Sequence, residues 1–286
     1  MNANYKRRDG RQALEMRAKE LRVSELTQFD GSGWYSQGKS SALVALHGPT
    51  TAKTIEQDYT RCRVRVRVLH AASAPFSGGS ERVNQIERGR VRAHQLDANE
   101  LVGMVERALE AVFIAERFPY TVLGVDVVIM GEDGGLLAVV INAVMCALLS
   151  AGLPCRTTMA AVAVAALLTS GEEDKKEKGR DPSSLVSSSL ELLLDPTAEE
   201  ESLRADSGGG SAQEGAPTSS WTCLAHGTFV FTNPKAAGGL IVSHLKRRCT
   251  DAAALSPQQL TTMMTLAERG ANMLFDFFRQ CNVPLE

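Results

Sequence analysis

The sequence predicts a mixed fold, α/β or α+β, and three observations carry that reading. Strand-like and helix-like periods alternate in the order strand, helix, strand, turn, helix, strand through residues 61–168. The segment "RCRVRVRVL" has a period of two, with Arg61, Arg63, Arg65 and Arg67 on one face and Cys62, Val64, Val66 and Val68 on the other. Finally, "GEDGGLLAVVINA", Gly131 to Ala143, runs a glycine-rich turn straight into an apolar helix, an arrangement in which backbone N–H groups can hold an anion.

Each element follows from local pattern. From Leu21 to Val68 short apolar runs alternate with turn residues, as in a meander; Asp30-Gly31-Ser32-Gly33 and Gln37-Gly38 read as tight turns, and "SALVALHG" as a strand. The segment "APFSGGSERVNQIERGRVRAHQ" has no apolar period and reads as an exposed loop. Next, "DANELVGMVERALEAVFIAERF" places Leu101, Met104, Val105, Ala108, Leu109, Val112 and Phe113 at helical spacing, with Asp97 or Asn99 as cap and a stop at Phe118-Pro119. "TVLGVDVVIM" reads as a strand, "LAVVINAVMCALLSAG" as a buried helix ending at Gly152, and "MAAVAVAALL" as another strand. "LVSSSLELLLDPT" and "SWTCLAHGTFVFTN" resume strand character. The closing "SPQQLTTMMTLAERGANMLFDFFRQC" opens at Ser-Pro and gathers Leu260, Met263, Met264, Ala267, Ala271, Leu274, Phe275 and Phe278 on one helical face.

Two stretches interrupt this order. Residues 170–184 are dense in charge, and residues 197–220 turn from acidic to Gly/Ser-rich. Such compositions do not bury enough apolar surface to order themselves, so both are expected to be flexible insertions in a single domain spanning 1–286.

Composition narrows the function classes. A chain of 286 residues, 44% hydrophobic and 22% charged, has the material for a substantial core. Its 31 basic and 33 acidic side chains leave a formal charge of −2, so any nucleic-acid contact must be a local patch and not bulk attraction. The start of the sequence lacks the apolar stretch of a secretory signal, so an intracellular location is expected. Cys62, Cys146, Cys155, Cys223, Cys249 and Cys281 form no CxxC pair and have no histidines at metal spacing, so reduced thiols are expected, with no metal site and no cofactor. The apolar runs at 138–149 and 159–168 are too short for a membrane span.

Taken in order, "RRDGRQALEMR", "FDGSGWYSQGKSSALVALHGPT", "ERALEAVFIAERFPYTVLGVDVVIMGEDGGLLAVVINAVMCALLSAGLP", "LLLDPTAEEE" and the closing helix resemble the RNase PH family of phosphate-dependent 3′ exoribonucleases. Within that family, "GLLAVVINAVMCALLSAGLP" with "LLLDPTAEE" is most similar to a non-catalytic ring subunit of the eukaryotic RNA exosome, of the ribosomal RNA-processing protein 46 type. The resemblance implies an α+β, RNase PH-like (ribosomal protein S5 domain 2-like) βαβα fold. It also implies partners: other RNase PH-like ring subunits paired and closed into a hexamer, S1/KH cap subunits and RNA, with no membrane. The implied locations are nucleus, nucleolus and cytoplasm.

The departures from the family pattern fall on its chemistry. Leu136 and Leu137 stand where active members carry phosphate-binding threonine and arginine, Leu96 and Asp97 where an arginine pair would be, and no Gly-Glu-Ala-Asp stretch lies near Asp195. Phosphorolysis brings an anion onto an anionic diester and needs cations to stabilise the charge. The expectation is therefore no catalytic residues and a scaffold role; the rival is an active phosphate-dependent 3′ exoribonuclease.

Single residues are weighed likewise. Gly134-Gly135 reads either as an anion nest or as a tight turn needing positive φ, and the turn is preferred. Asp195 reads as a turn residue before Pro196, since a carboxylate lacking its partner groups is no catalyst. Arg61, Arg63, Arg65 and Arg67 either contact RNA or form a solvated strand face paired with neighbouring acids. Arg82, Arg88, Arg90 and Arg92 lie on a loop that, by the resemblance, points toward the RNA channel, where phosphate contact needs only charge and reach. Lys246-Arg247-Arg248 reads as a helix-end or solvated cluster, and His47 as a strand-end histidine.

Overall fold

The computed structural model describes residues 5–55, 57–71, 98–169, 190–203, 221–233, 239–247 and 255–281. Among the described residues nine strands form two sheets. The first contains β1 (Lys19–Val23), β2 (Gly31–Gln37), β3 (Ser40–Thr51), β4 (Arg63–His70) and β5 (Thr121–Gly131), in the order β1-β2-β3-β5-β4. The second contains β6 (Met159–Thr169), β7 (Leu190–Leu194), β8 (Trp221–Thr232) and β9 (Leu240–Arg247), in the order β7-β6-β8-β9. Every pairing is antiparallel except β4 with β5. That parallel pair requires a crossover, and helix α1 (Ala98–Val112) lies between the two strands in sequence and packs on β4.

Helix α2 (Leu136–Ser150) is the centre of the molecule. Leu136 through Leu148 are all buried, so the helix meets solvent only at its end, at Leu149 and Ser150, and it packs on β2 and β3 of one sheet and on β6 of the other. Its one interior polar side chain, Asn142, accepts from the Ala161 N–H at 2.8 Å and donates to the Ala161 carbonyl at 3.0 Å, satisfying the stretch of β6 that β7 leaves unpaired. Helix α4 (Pro257–Gln280) starts as expected: Ser256 and Gln259 form a reciprocal cap with Pro257 in the first turn. It lies against β6, its Gly270 facing Val162 and Leu194, and Phe278 meets Tyr35 of β2 edge-on at 6.3 Å. One apolar cluster thus draws on both sheets and on α1, α2 and α4.

The structure differs from the sequence reading at five places. Gly31, Ser32 and Gly33 lie within β2, not in a turn; a Cβ on Gly31 would fall 2.5 Å from the Ala151 Cβ, and one on Gly33 2.6 Å from the Ala147 nitrogen. Those glycines let strand and helix approach. Helix α1 ends at Val112, short of Phe118-Pro119, because Phe113 bridges to Cys155 and Ile114 donates to the Pro154 carbonyl. Strand β1 opens the meander at Lys19, ahead of Leu21. Strand β9 was not anticipated, and it places Lys246 and Arg247 on a strand end, not a helix end. The segment expected to be flexible from 197 begins with order: Thr197 caps a short helix α3 (Ala198–Ser202), because Thr197 and Glu200 cap each other. The remainder of 197–220 from residue 204 onward and all of 170–184 lie outside the described residues.

Candidate functional site

The glycine turn joins β5 to α2. Gly134 has φ +77° and Gly135 φ +62°, so both need the left-handed backbone that the turn reading required. Space forbids a side chain as well: a Cβ on Gly134 would lie 2.5 Å from the Pro196 carbonyl oxygen and 2.6 Å from the Ala198 nitrogen. Ser40 braces the turn, donating to the Gly134 carbonyl at 2.8 Å while accepting from the Asp133 N–H at 2.9 Å. The turn is therefore pressed against the β7–α3 connection.

The free N–H groups of the first turn of α2 give it partial positive charge. One of them, on Gly135, donates to Glu201 Oε1 at 2.9 Å, so a carboxylate of the chain's own α3 sits on this helix end. Leu136 and Leu137 are 7% and 2% exposed and point their apolar side chains into the core, so the helix supplies no cation here. The cavity remaining at this helix end is about 40 Å³ and is lined by Glu132, Glu201, His226, Thr228, His244 and Lys246. Burial raises the Glu132 carboxyl above its ordinary value. His244 Nε2 lies 2.7 Å from Glu100 Oε1, tying β9 to α1.

Beside the turn lies a buried ion network. Arg17 donates from Nε to Asp195 Oδ2 at 2.9 Å and from Nη2 to Asp195 Oδ1 at 2.6 Å, and its backbone N–H reaches Oδ2 at 2.8 Å. Its guanidinium also donates to the Gly134 carbonyl at 3.3 Å. Burial alone would raise the Asp195 carboxyl, but the hydrogen bonds and charge of Arg17 outweigh it and hold the group below the usual carboxylate range. Arg7, fully buried, pairs with Glu200 at 3.1 Å and donates to the Leu194 carbonyl at 2.7 Å. The N-terminal segment thereby fastens the end of β7 and α3 beneath the glycine turn, and Tyr5 packs edge-on against Trp221 at 5.7 Å.

The turn reading of Asp195 holds, with φ +52°, and its carboxylate is also the anchor of Arg17, a contact the sequence reading does not foresee. Sequence reasoning missed Arg17, Ser40 and Glu201. Their signals were weak, a lone arginine in "LEMR", a serine at a hairpin tip and one acid in an acidic run.

The arginine row falls where the period of two put it. Arg63, Arg65 and Arg67 are exposed on β4, and Arg61 is exposed just before it. Arg67 grips Asp126 with two bonds, Nε to Oδ1 at 2.7 Å and Nη2 to Oδ2 at 2.6 Å. Arg61 lies 3.8 Å from Asp58 and 3.7 Å from Glu110, and Arg65 is also engaged. On this exposed face Arg61 and Arg67 are thus paired with acids. Arg82, Arg88, Arg90 and Arg92 lie outside the described residues. His47, read from the sequence as a strand-end residue, lies within β3, just before the register shift between His47 and Thr50, its ring on Phe29 at 4.5 Å. Among the described residues no cluster of three His, Cys, Asp or Glu side chains is placed to hold a metal, and no helix is long and apolar enough to cross a membrane.

The family profile "3' exoribonuclease family, domain 1" (RNase PH) matches residues 15–154. Among curated relatives, an exosome complex component Rrp41 from Thermococcus gammatolerans is 31% identical over 166 residues, 57% of this chain and 61% of that protein. The human exosome complex component RRP41 is 30% identical over 148 residues, 52% of this chain and 57% of that protein. The chain thus spans about three fifths of the length of the curated relatives it matches. Among solved structures, rice (Oryza sativa) Rrp46 superposes with a TM-score of 0.63 at 19% identity, covering 96% of this chain and 98% of that one. An Archaeoglobus fulgidus exosome with RNA bound to the active site gives 0.61 at 17% identity, covering 96% and 92%. Both likenesses establish the RNase PH-like α+β fold.

Proposed function

We propose that this chain, whose residues 15–154 match the RNase PH family profile, works as a non-catalytic ring subunit of an RNA exosome. In this reading it pairs with other RNase PH-like chains, carries S1/KH cap subunits in the assembled ring, and helps to line the channel through which RNA passes for 3′–5′ processing in nucleus, nucleolus and cytoplasm. The names of its relatives, exosome components from an archaeon and from human, support the assembly.

One observation carries the non-catalytic part: the first turn of α2 presents two buried leucines where the chemistry needs cations. Among the described residues the nearest guanidinium, Arg17, is engaged with Asp195 and with backbone carbonyls. A phosphate brought here would meet the two leucines and the carboxylates of Glu132 and Glu201, with Lys246 the one lysine or arginine lining the cavity among the described residues, and burying an anion without full counter-charge costs several kcal/mol. Losing even one preorganised donor slows such reactions by about 10²–10³-fold. The test is direct: the purified chain, given single-stranded RNA and inorganic phosphate, is expected to release no nucleoside diphosphates. Phosphate-dependent shortening from the 3′ end would restore the rival, an active exoribonuclease.

A further inference from the structure

We infer that the outer face of the first sheet is a docking surface for a second copy of this chain, laid face to face about a two-fold axis that runs along the central strand β3. The inference stands apart from the exosome reading and uses no residue of the glycine turn.

Helices α1 and α2 pack on one face of this sheet, and the side chains that meet them belong to the main apolar cluster. The alternate side chains point the other way, and an outer face left to water is ordinarily polar. Here the register aligns Trp34 of β2, Leu43 of β3, Val128 of β5 and Leu69 of β4 in one row across four strands, with Met130 beside it on β5. Leu69 and Met130 are 60% and 55% exposed, and none of the five belongs to a core cluster among the described residues. Arg22 of β1 closes the row, its guanidinium stacked 4.7 Å from the Trp34 ring. An apolar centre holding Trp and Met, with Arg at its margin, is the composition of an interface.

Three properties of the face select a second copy. The first is symmetry: β3 is the middle strand of five, so a two-fold axis along it sets Leu43 on its own counterpart and lays Trp34 over the smaller Val128 of the partner copy. The second is charge. The same operation brings β1 over the partner copy's β4. The β1 side carries Glu20, Arg22 and Glu25, two acids to one base, whereas β4 carries Arg63, Arg65 and Arg67 against Asp126 of β5. A two-fold axis across the strands would set β4 on β4, arginine on arginine. The third is size: at about 4.8 Å between strands and about 3.3 Å per residue the face measures roughly 20 by 25 Å, about 500 Å² in projection and more in accessible surface. That is the scale of the roughly 800 Å² that each partner of a standard interface buries, and aligned face-to-face packing is a regular way for two sheets to meet.

The test is sedimentation equilibrium of the full chain at micromolar concentration, for the wild type and four variants. The wild type is expected at twice the chain mass. Leu43→Arg puts two like charges against each other on the axis and should weaken the dimer by about a hundredfold or more. Leu69→Arg, at an exposed position of an edge strand that tolerates the change, brings a cation onto the partner copy's Arg22 and should act in the same direction; it carries the test if Leu43→Arg does not fold. Glu25→Arg reports the orientation: it sets a cation over the β4 arginines twice per dimer and should weaken association by about tenfold. Met273→Arg changes an exposed apolar residue of α4, away from the sheet, and should leave the dimer intact. A monomeric wild type, a folded Leu43→Arg or Leu69→Arg that dimerises as the wild type does, an unchanged dimer in Glu25→Arg, or equal dissociation by Met273→Arg would each overturn the inference. So would a wild type that is monomeric alone and is taken up by a different RNase PH-like chain, which would assign the face to that chain. None of these outcomes touches the non-catalytic reading, which falls only if RNA is shortened.

Discussion

Two arginine–aspartate pairs in this molecule have nearly the same geometry and opposite surroundings. Arg17 holds Asp195 through bonds of 2.9 and 2.6 Å, and Arg67 holds Asp126 through bonds of 2.7 and 2.6 Å. The side chains of the first pair are 7% and 3% exposed; those of the second are 66% and 18% exposed. Bidentate geometry alone therefore says nothing about what a pair is for. In the interior both charges have lost their water, so each depends on the other and on the added bonds from the Arg17 backbone. At the surface, water replaces either partner at little cost. The buried pair is a fastener that ties Arg17 to the corner beneath the glycine turn, whereas the exposed pair lets Arg67 exchange its partner for water.

The largest break in this comparison comes from deleting the buried acid. Asp195→Ala removes both close bonds to Arg17, leaving that buried charge only the looser contact with Asp133 at 3.6 Å, and places alanine at φ +52°, so a loss of about 3–5 kcal/mol in urea unfolding is expected. Asp195→Asn tolerates the left-handed backbone and isolates the charge; it should cost less, about 1.5–3 kcal/mol. Equal losses for the two variants would show that backbone strain or packing, not the ion pair, sets the stability of this corner.

Acid sharpens the same contrast. The folded Asp195 carboxyl lies below its ordinary value, so its contribution is fully present above the unfolded value near pH 4 and is lost as pH falls through the lowered folded value. Unfolding free energy measured from about pH 5 down to pH 2 should fall for the wild type and fall less steeply for Asp195→Asn. Parallel curves would assign the acid sensitivity to other carboxylates.

The contrast also explains what was legible in the sequence. Arg61, Arg63, Arg65 and Arg67 announced an exposed face because a period of two is local, and a single strand contains it. The closing helix and the positive φ at Gly134-Gly135 were legible for the same reason: a cap, an apolar stripe and a glycine pair are short-range signals. The Arg17–Asp195 pair joins residues 178 apart in sequence, and nothing in "LEMR" or "LLLDPT" marks either as the partner of the other. Glu201 is 66 residues from Gly135, inside an acidic run whose composition suggested disorder. Its capping signal, threonine followed three residues later by glutamate, was present in "TAEE" and was outweighed by that composition. Gly31 and Gly33 misled in the other direction, since glycine serves both turns and close packing, and only the position of α2 decides between them.

The smallest expected effect falls on the exposed pair. Arg67→Ala removes the partner of Asp126, yet Asp126 keeps water as a substitute, and His47 Nε2 lies 3.8 Å away. Exposed pairs contribute about 0–1 kcal/mol, so urea unfolding of Arg67→Ala should stay within about 1 kcal/mol of the wild type and the difference should shrink in high salt. The same variant tests what the row does in the assembly. Were the β4 face in contact with RNA in the ring, each lost phosphate contact would lower the salt slope of binding by roughly one unit; were it only solvated, binding and its salt dependence would not change. A loss of stability near that of Asp195→Ala would mean that Arg67 is as deeply committed as Arg17, and that burial is not what separates the two pairs.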